Sequence, residues 1–269
     1  MNVSRPVRLS DALADKAAGA VPVAGATDLW VHWPTRLAQH DRRYVDLSLL
    51  HDLRRIEWSA DHVRIGALAT YWDVLRDPRF RAEFPILPAA ARQVGAVQIQ
   101  TRGTWAGNIA NGSPAADGVT ALMACDAAVV LEGVSGERVV PLECLYKGYK
   151  VMDLAPDELI TGIRLPRAER SGWRFEKVGA RSAQAISKVG LAMARAADGW
   201  RIVVASMAPT VRRCPSLEAV FNTGRGSDRA ALFAAAGSDL SPIDDIRSQA
   251  MYRMRALTAL LAMPGQPDH

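Results

Sequence analysis

Residues 101–118 read TRGTWAGNIANGSPAADG, in which Gly103, Gly107, Gly112 and Gly118 are spaced among alanines and asparagines. A shorter relative, VPVAGATDLWV, occupies residues 21–31. Each is a strand-like approach followed by glycine, threonine and a later aspartate. Glycine admits positive φ and lets main chain approach a ligand with no Cβ in between. Gly107 is expected to use that freedom. Successive backbone N–H groups in such turns converge into a nest for an anion, and Thr27 and Thr104 add hydroxyls. The chemistry these residues suit is the holding of a phosphate group. Neither turn is a GxGxxG dinucleotide fingerprint or a Walker loop. Taken singly, either is also a tight turn with a structural glycine. Together they suggest two loops closing on one pyrophosphate.

Other chemistry is sparse. Cys125, Cys144 and Cys214 stand far apart, without the CxxC spacing of zinc or iron–sulfur sites, and are expected to be buried, reduced thiols. His32, His40, His51, His62 and His269 form no HxxxH or HExxH pattern, so no metal site is expected. There is no GxSxG elbow. The net charge of +5 comes from scattered arginines interleaved with acids, which reads as a solvated surface rather than a nucleic-acid face. No apolar run reaches the length of a membrane span, and the N-terminus lacks a signal peptide's apolar region, so a cytoplasmic protein is expected.

The stretches AGATDL and TRGTWAGNIANGSPAAD resemble the two flavin-binding loops of the FAD domain in molybdenum hydroxylases, the xanthine dehydrogenase and carbon monoxide dehydrogenase family. That FAD fold is shared with vanillyl-alcohol oxidase. GYKVMDLAPDELITGIRLP and FEKVGARSAQAISKVGLAMA are similar to later blocks of the same family, so the likeness runs in order along nearly the whole chain. It implies a non-covalent FAD. Pro22, Val23, Ala24, Gly25, Ala26, Thr27, Asp28 and Leu29 would form the first loop. Gly103, Thr104, Trp105, Ala106 and Gly107 would form the second, braced by Asn108. Asp117 would accept hydrogen bonds from the ribose end, and Ile160 would pack near the adenine or ribose. Lys177 would sit near the pyrimidine edge of the flavin, where a cation favours the anionic reduced form. Lys150 and Arg181 stand where the family often has basic residues. Ala26 and Ala106 replace family glycines, Trp105 replaces a smaller aliphatic residue, and Val94 and Gln184 replace an aromatic and an acidic residue of some relatives.

The resemblance further implies a subunit. Three scattered cysteines cannot ligate the family's pair of [2Fe–2S] clusters, and 269 residues leave no room for a molybdopterin domain. A molybdopterin-binding large subunit and an iron–sulfur small subunit would be partners. FAD would take their electrons and pass them to NAD, a quinone or dioxygen, with no catalytic acid–base pair in this chain. AISKVGLA and NIANGSPAADG look closer to bacterial xanthine-dehydrogenase-like flavin subunits than to the carbon monoxide enzymes. Two other readings stand beside this one: a free-standing FAD oxidoreductase of the vanillyl-alcohol oxidase fold, and a non-enzymatic assembly protein on a degenerate flavin scaffold.

The positioning elements follow from pattern. SDALADKAAG reads as a helix capped by Ser10 and ended by Gly19, and AVPVAG as a strand entering the first turn. RRYVDLSLL and DHVRIGALAT alternate as strands, whereas ILPAAARQVG and VTALMACDA suit helices. AAVVLEG and ERVVPL form a hairpin, and DELITGIRLP is a strand closed by Pro166. AERSG reads as a linker. WRFEKVG, KVGLAMARA and WRIVVASMA follow as three strands, the last two joined by Ala197-Asp198-Gly199. A helix capped by Ser227 comes next, then one with Met251, Met254, Leu257 and Leu261 on a buried stripe before Pro264. The sum is an α+β protein. Its FAD-binding domain of the vanillyl-alcohol oxidase type covers 1–166, with two α+β subdomains at about 1–55 and 56–166. A small domain at 172–269 pairs a three-stranded sheet with a helix bundle.

Overall fold

The computed structural model describes residues 2–31 and 42–263. His32, His40, Pro264 and His269 lie outside them. The architecture is α+β. A small parallel sheet has β1 (Asn2–Ser4) and β2 (Val21–Val23) flanking β3 (Arg43–Asp46). The helix Leu9–Ala17 joins β1 to β2 and buries Ala12 and Leu13 with Val45 and Leu47. Its N-cap is Arg8, so Ser10 lies inside the helix rather than capping it; Arg8 and Asp11 pair across the first turn. Gly19 ends it at φ +85°.

A five-stranded antiparallel sheet follows. β4 (Ile56–Trp58), β5 (His62–Gly66), β6 (Ala128–Gly133) and β7 (Gly136–Pro141) surround a central strand. After a two-stranded ribbon, β8 (Tyr146–Gly148) and β9 (Val151–Met152), that central strand arrives as β10 (Leu159–Pro166). It pairs with β5 and β6 and bulges between Ile160 and Gly162. A bulge re-aims a side chain, and here it sits beside Ile160. Helices Ile86–Gln93 and Asp117–Ala124 cover this sheet around Leu87, Leu122 and Ile163.

The last sheet runs β11 (Arg170–Val178), β12 (Val189–Ala196), β13 (Gly199–Ala205) and β14 (Arg212–Arg213). AERSG is therefore not a free linker, since pairing already begins at Arg170, opposite Ala196. The short β14 makes four strands where three were expected. Side chains alternate across the sheet. Ala192, Ala194, Val203 and Ala205 bury into the same core as the five-stranded sheet. Val189, Leu191, Met193, Ile202 and Val204 face the helices Pro215–Asn222, Arg229–Asp239 and Ala250–Ala262. Asp228, not Ser227, caps the second of these, its carboxylate accepting from Ala231 N–H at 3.0 Å. In the third, Met254, Leu257 and Leu261 are buried together with Arg253, but Met251, in the first turn, is half exposed. Cys125 and Cys214 are buried, as expected; Cys144 is exposed. Burial pushes the Cys125 thiol up to about 11. No described helix is long and apolar enough to cross a membrane.

Candidate functional site

The carboxyl end of β2 runs directly into the first glycine turn. Beyond Val23, Gly25 turns the chain and Ala26 follows at φ +60°. A left-handed residue beside right-handed ones points consecutive N–H groups to one side, the arrangement of an anion nest. Among the described residues, no carbonyl or side chain accepts from the N–H groups of Gly25, Ala26, Thr27 or Asp28. The turn is pinned at its far end. Asp28 Oδ1 accepts from Asn111 Nδ2 at 3.3 Å, and the Trp30 N–H donates to the Ala26 carbonyl at 3.0 Å.

The two glycine segments touch main chain to main chain. A Cβ on Gly25 would stand 1.9 Å from the Arg102 carbonyl oxygen, so only glycine fits. The second segment is a helix start rather than a loop. Thr104 caps the helix Trp105–Asn111, its Oγ1 accepting from Gly107 N–H at 2.9 Å. Gly107 and Ala106 have helical backbone, which corrects the expected positive φ at Gly107; its tight neighbour is Thr104 Oγ1, 2.8 Å from where a Cβ would sit. Thr70 caps the helix Tyr71–Arg76 through a reciprocal box with Asp73. Thr70 and Thr104 stand side by side in a β-bridge, with Tyr71 N–H donating to the Gly103 carbonyl at 3.2 Å. The caps thus fix the second segment against the start of the helix Tyr71–Arg76.

Between these segments lies a cleft of about 590 Å³, the size of a small-molecule site. Pro22, Ala24, Gly25, Ala26, Thr27, Asp28, Leu29, Gly103, Thr104, Ala106, Gly107, Asn108 and Ile160 line it. So do Val94 and Lys150, the latter at φ +55°. Lys16 and Tyr71 were not anticipated as lining residues. Lys16 reads in the sequence as an ordinary surface residue of a helix end, and its ammonium donates to the Pro156 carbonyl. Asn108 is a brace: its Oδ1 accepts from Val119 N–H at 3.1 Å, tying two helices together.

Val23, Trp105, Asp117 and Lys177 do not line the cleft. Trp105 is fully buried with its ring 4.8 Å from that of Tyr71, because the first helical turn aims it into the core. Lys177 Nζ lies 2.5 Å from Asp117 Oδ2 and donates to the Gln93 carbonyl at 3.0 Å. Ser187 Oγ donates to Asp117 Oδ1 at 2.7 Å. Burial pushes the Asp117 carboxyl above the ordinary carboxylate range, while Lys177 and Ser187 pull against it. Both Asp117 oxygens thus serve the protein, where the sequence led us to expect a carboxylate turned to the ribose. Arg181 folds onto its own loop, donating to the carbonyls of Ala183 and Gln184, and Gln184 sits at φ +52°.

Residues 1–168 match the family described as the FAD binding domain in molybdopterin dehydrogenase. The chain belongs to this family. Over 237 residues it is 31% identical to the nicotine 6-hydroxylase medium subunit of Paenarthrobacter nicotinovorans, covering 86% of this chain and 83% of the relative. Over 240 residues it is 30% identical to the carbon monoxide dehydrogenase medium chain of Hydrogenophaga pseudoflava, again covering 86% and 83%. A solved structure of carbon monoxide dehydrogenase from Hydrogenophaga pseudoflava superposes with a TM-score of 0.89 at 28% identity, covering 97% of this chain and 94% of that one. The protein is thus an FAD-binding oxidoreductase subunit of the molybdenum hydroxylase family. The residues fit the cofactor of the family: a run of unpaired N–H groups faces a cleft wide enough for a nucleotide and bordered by Lys16 and Lys150. Among the described residues, no cluster of His, Cys, Asp and Glu is arranged to hold a metal ion.

Proposed function

We propose that this chain holds one FAD non-covalently in the cleft and passes electrons from an iron–sulfur partner subunit to an acceptor such as NAD. The observation that carries this is the set of unpaired N–H groups at Gly25–Asp28, locked against the second segment through Gly25. Pro22–Leu29 and Gly103–Asn108 hold the pyrophosphate, with Lys16 and Lys150 offsetting its charge. Ile160 packs at the adenine or ribose end. Lys177 hydrogen-bonds the carbonyl next to the cleft residue Val94, which supports its placement near the flavin's pyrimidine edge. When bound, FAD supplies a carrier that accepts single electrons and delivers pairs. The chain's own work is to bind, orient and exclude water; Trp105 and Tyr71 pack the floor from which the cap at Thr104 rises.

We assign substrate oxidation to a molybdopterin-binding large subunit, in a cytoplasmic complex of the xanthine dehydrogenase type. The AISKVGLA and NIANGSPAADG stretches support that grouping. Within the chain, 1–166 serve as the FAD-binding domain, with subdomains at about 1–55 and 56–166, and 172–269 as the C-terminal domain. Purified full-length chain tests the central claim. It is expected to be yellow, to release about one flavin per chain on acid precipitation, and to retain FAD in preference to FMN, which lacks the pyrophosphate. FMN alone, or flavin left attached to the precipitate, contradicts the reading.

A further inference from the structure

Ser206 follows the last residue of β13 and sits at φ +66°. It is a buried serine in backbone that only glycine enters without cost. Its N–H, hydroxyl and carbonyl are each spent on a different part of the chain. The N–H donates to the Pro114 carbonyl at 2.7 Å, just ahead of the helix Asp117–Ala124. Oγ donates to the Ser187 carbonyl at 2.8 Å. The carbonyl accepts from Arg253 Nη1 at 2.7 Å, and Nη2 of the same guanidinium donates to Asp245 Oδ1 at 2.6 Å. Ser187, so seated, donates its own hydroxyl to Asp117 Oδ1 at 2.7 Å, and Asp117 Oδ2 meets Lys177 Nζ at 2.5 Å. Lys177 ends the series at the Gln93 carbonyl, 3.0 Å away and next to the cleft residue Val94.

Arg253, Ser206, Ser187, Asp117 and Lys177 are each less than a tenth exposed. Water competes little with such bonds, and each group depends on the next for its position. Backbone strain persists where the surroundings over-determine it, and it gathers at working sites. Glycine would relieve the strain at Ser206 but has no hydroxyl to give to Ser187. We propose that Ser206, acting through Ser187, is a positioning residue for the Asp117–Lys177 pair, holding the Lys177 ammonium where it favours reduced flavin. The effect on flavin rests on the proposed placement of Lys177 at its pyrimidine edge; the hold on Lys177 does not.

Ser206→Gly and Ser187→Ala break the series at successive hydrogen bonds. Glycine accepts the left-handed backbone, so Ser206→Gly keeps the N–H and carbonyl bonds and loses only the hydroxyl. In the flavin-free full-length chain, reductive methylation of Lys177, read by mass spectrometry, is expected to run about two- to tenfold faster in either variant, the range that one hydrogen bond covers. The double variant should run no faster than Ser187→Ala alone, because links in series do not add. In the FAD-loaded chain, flavin content should stay unchanged, and the two-electron midpoint should fall in both variants by less than in Lys177→Met. A wild-type methylation rate in either variant, or additive effects in the double variant, overturns the proposal. So does an unchanged midpoint in Ser206→Gly and Ser187→Ala where Lys177→Met lowers it. If methylation accelerates but all three variants keep the wild-type midpoint, Ser206 positions Lys177 and the flavin-edge placement is what fails.

Discussion

Ala26 holds φ +60° in a turn whose family pattern has glycine. An L-residue pays about 1–2 kcal/mol there, partly offset because glycine loses more entropy on folding. Ala26→Gly is therefore expected to stabilise the protein by about 0.5–1 kcal/mol and to leave FAD retention equal or better. Urea unfolding reads the first effect, and a loss of stability would show that the turn does not carry this strain. Gly25 is the opposite case. In Gly25→Ala the new methyl meets the Arg102 carbonyl oxygen, main chain that cannot step aside, so the two segments part and flavin is lost. In Gly107→Ala it meets only the rotatable Thr104 hydroxyl on a helix that favours alanine, so most flavin stays. Equal flavin contents in the two variants would mean that the contact between segments is not what shapes the site. In the sequence, Ala26 and Ala106 are the same kind of departure from the family pattern. Only the backbone separates them, strained at one and helical at the other. Residue type showed that main chain must approach something; it did not show which glycine was there for φ and which for space.

The Asp117–Lys177 pair joins the helix Asp117–Ala124 to β11, with both side chains under a tenth exposed. Removing one partner of a buried pair costs about 3–5 kcal/mol, chiefly through the charge left behind. In Lys177→Met that charge is Asp117, already pushed upward by burial. With its cation gone, its folded-state pKa rises further above the unfolded one. The folded state then binds more protons, so the variant should gain stability as pH falls toward the unfolded carboxylate range and lose it as pH rises. Urea midpoints at mildly acidic and mildly alkaline pH check this, and the second change Asp117→Asn should flatten the dependence. A variant with a flat pH profile would rule out the uncompensated carboxylate. The same variant reads the proposed placement near the flavin, where losing about 1–3 kcal/mol lowers the two-electron midpoint by roughly 20–65 mV. At this scale alternation and hairpin signals located most strands, since a side chain period of two survives in any half-buried sheet. Caps shifted by one or two residues at Ser10 and Ser227, where a neighbour took the cap instead. β14 is only two residues, too short for any period to register.

The blocks of the family follow one another in this chain as they stand in the sequence, and that order made the fold legible. The seating of the last sheet was not. Its inner face is Ala192, Ala194, Val203 and Ala205, small residues that carry little hydrophobic signal but let a sheet approach helices closely. Through that face the last sheet shares one core with the sheet that carries Ile160. On the proposed function, the chain's chemistry is to hold a carrier. Its three cysteines are too few for the cluster pair of the family. Acting alone, the full-length chain is expected to show weak NADH–dye activity and no oxidation of purines or aldehydes. Co-expressed with neighbouring subunits, it should copurify with an iron–sulfur protein and a large molybdenum protein, and Gly25→Ala should abolish electron flow to the acceptor while sparing dye reduction taken directly from those partners. That contrast separates a flavin relay from both other readings. A free-standing oxidase would oxidise substrate without partners, and an assembly protein would support the complex equally well with Gly25→Ala. Substrate oxidation by the isolated chain, or full activity of the Gly25→Ala complex toward its physiological acceptor, would remove the relay from the mechanism.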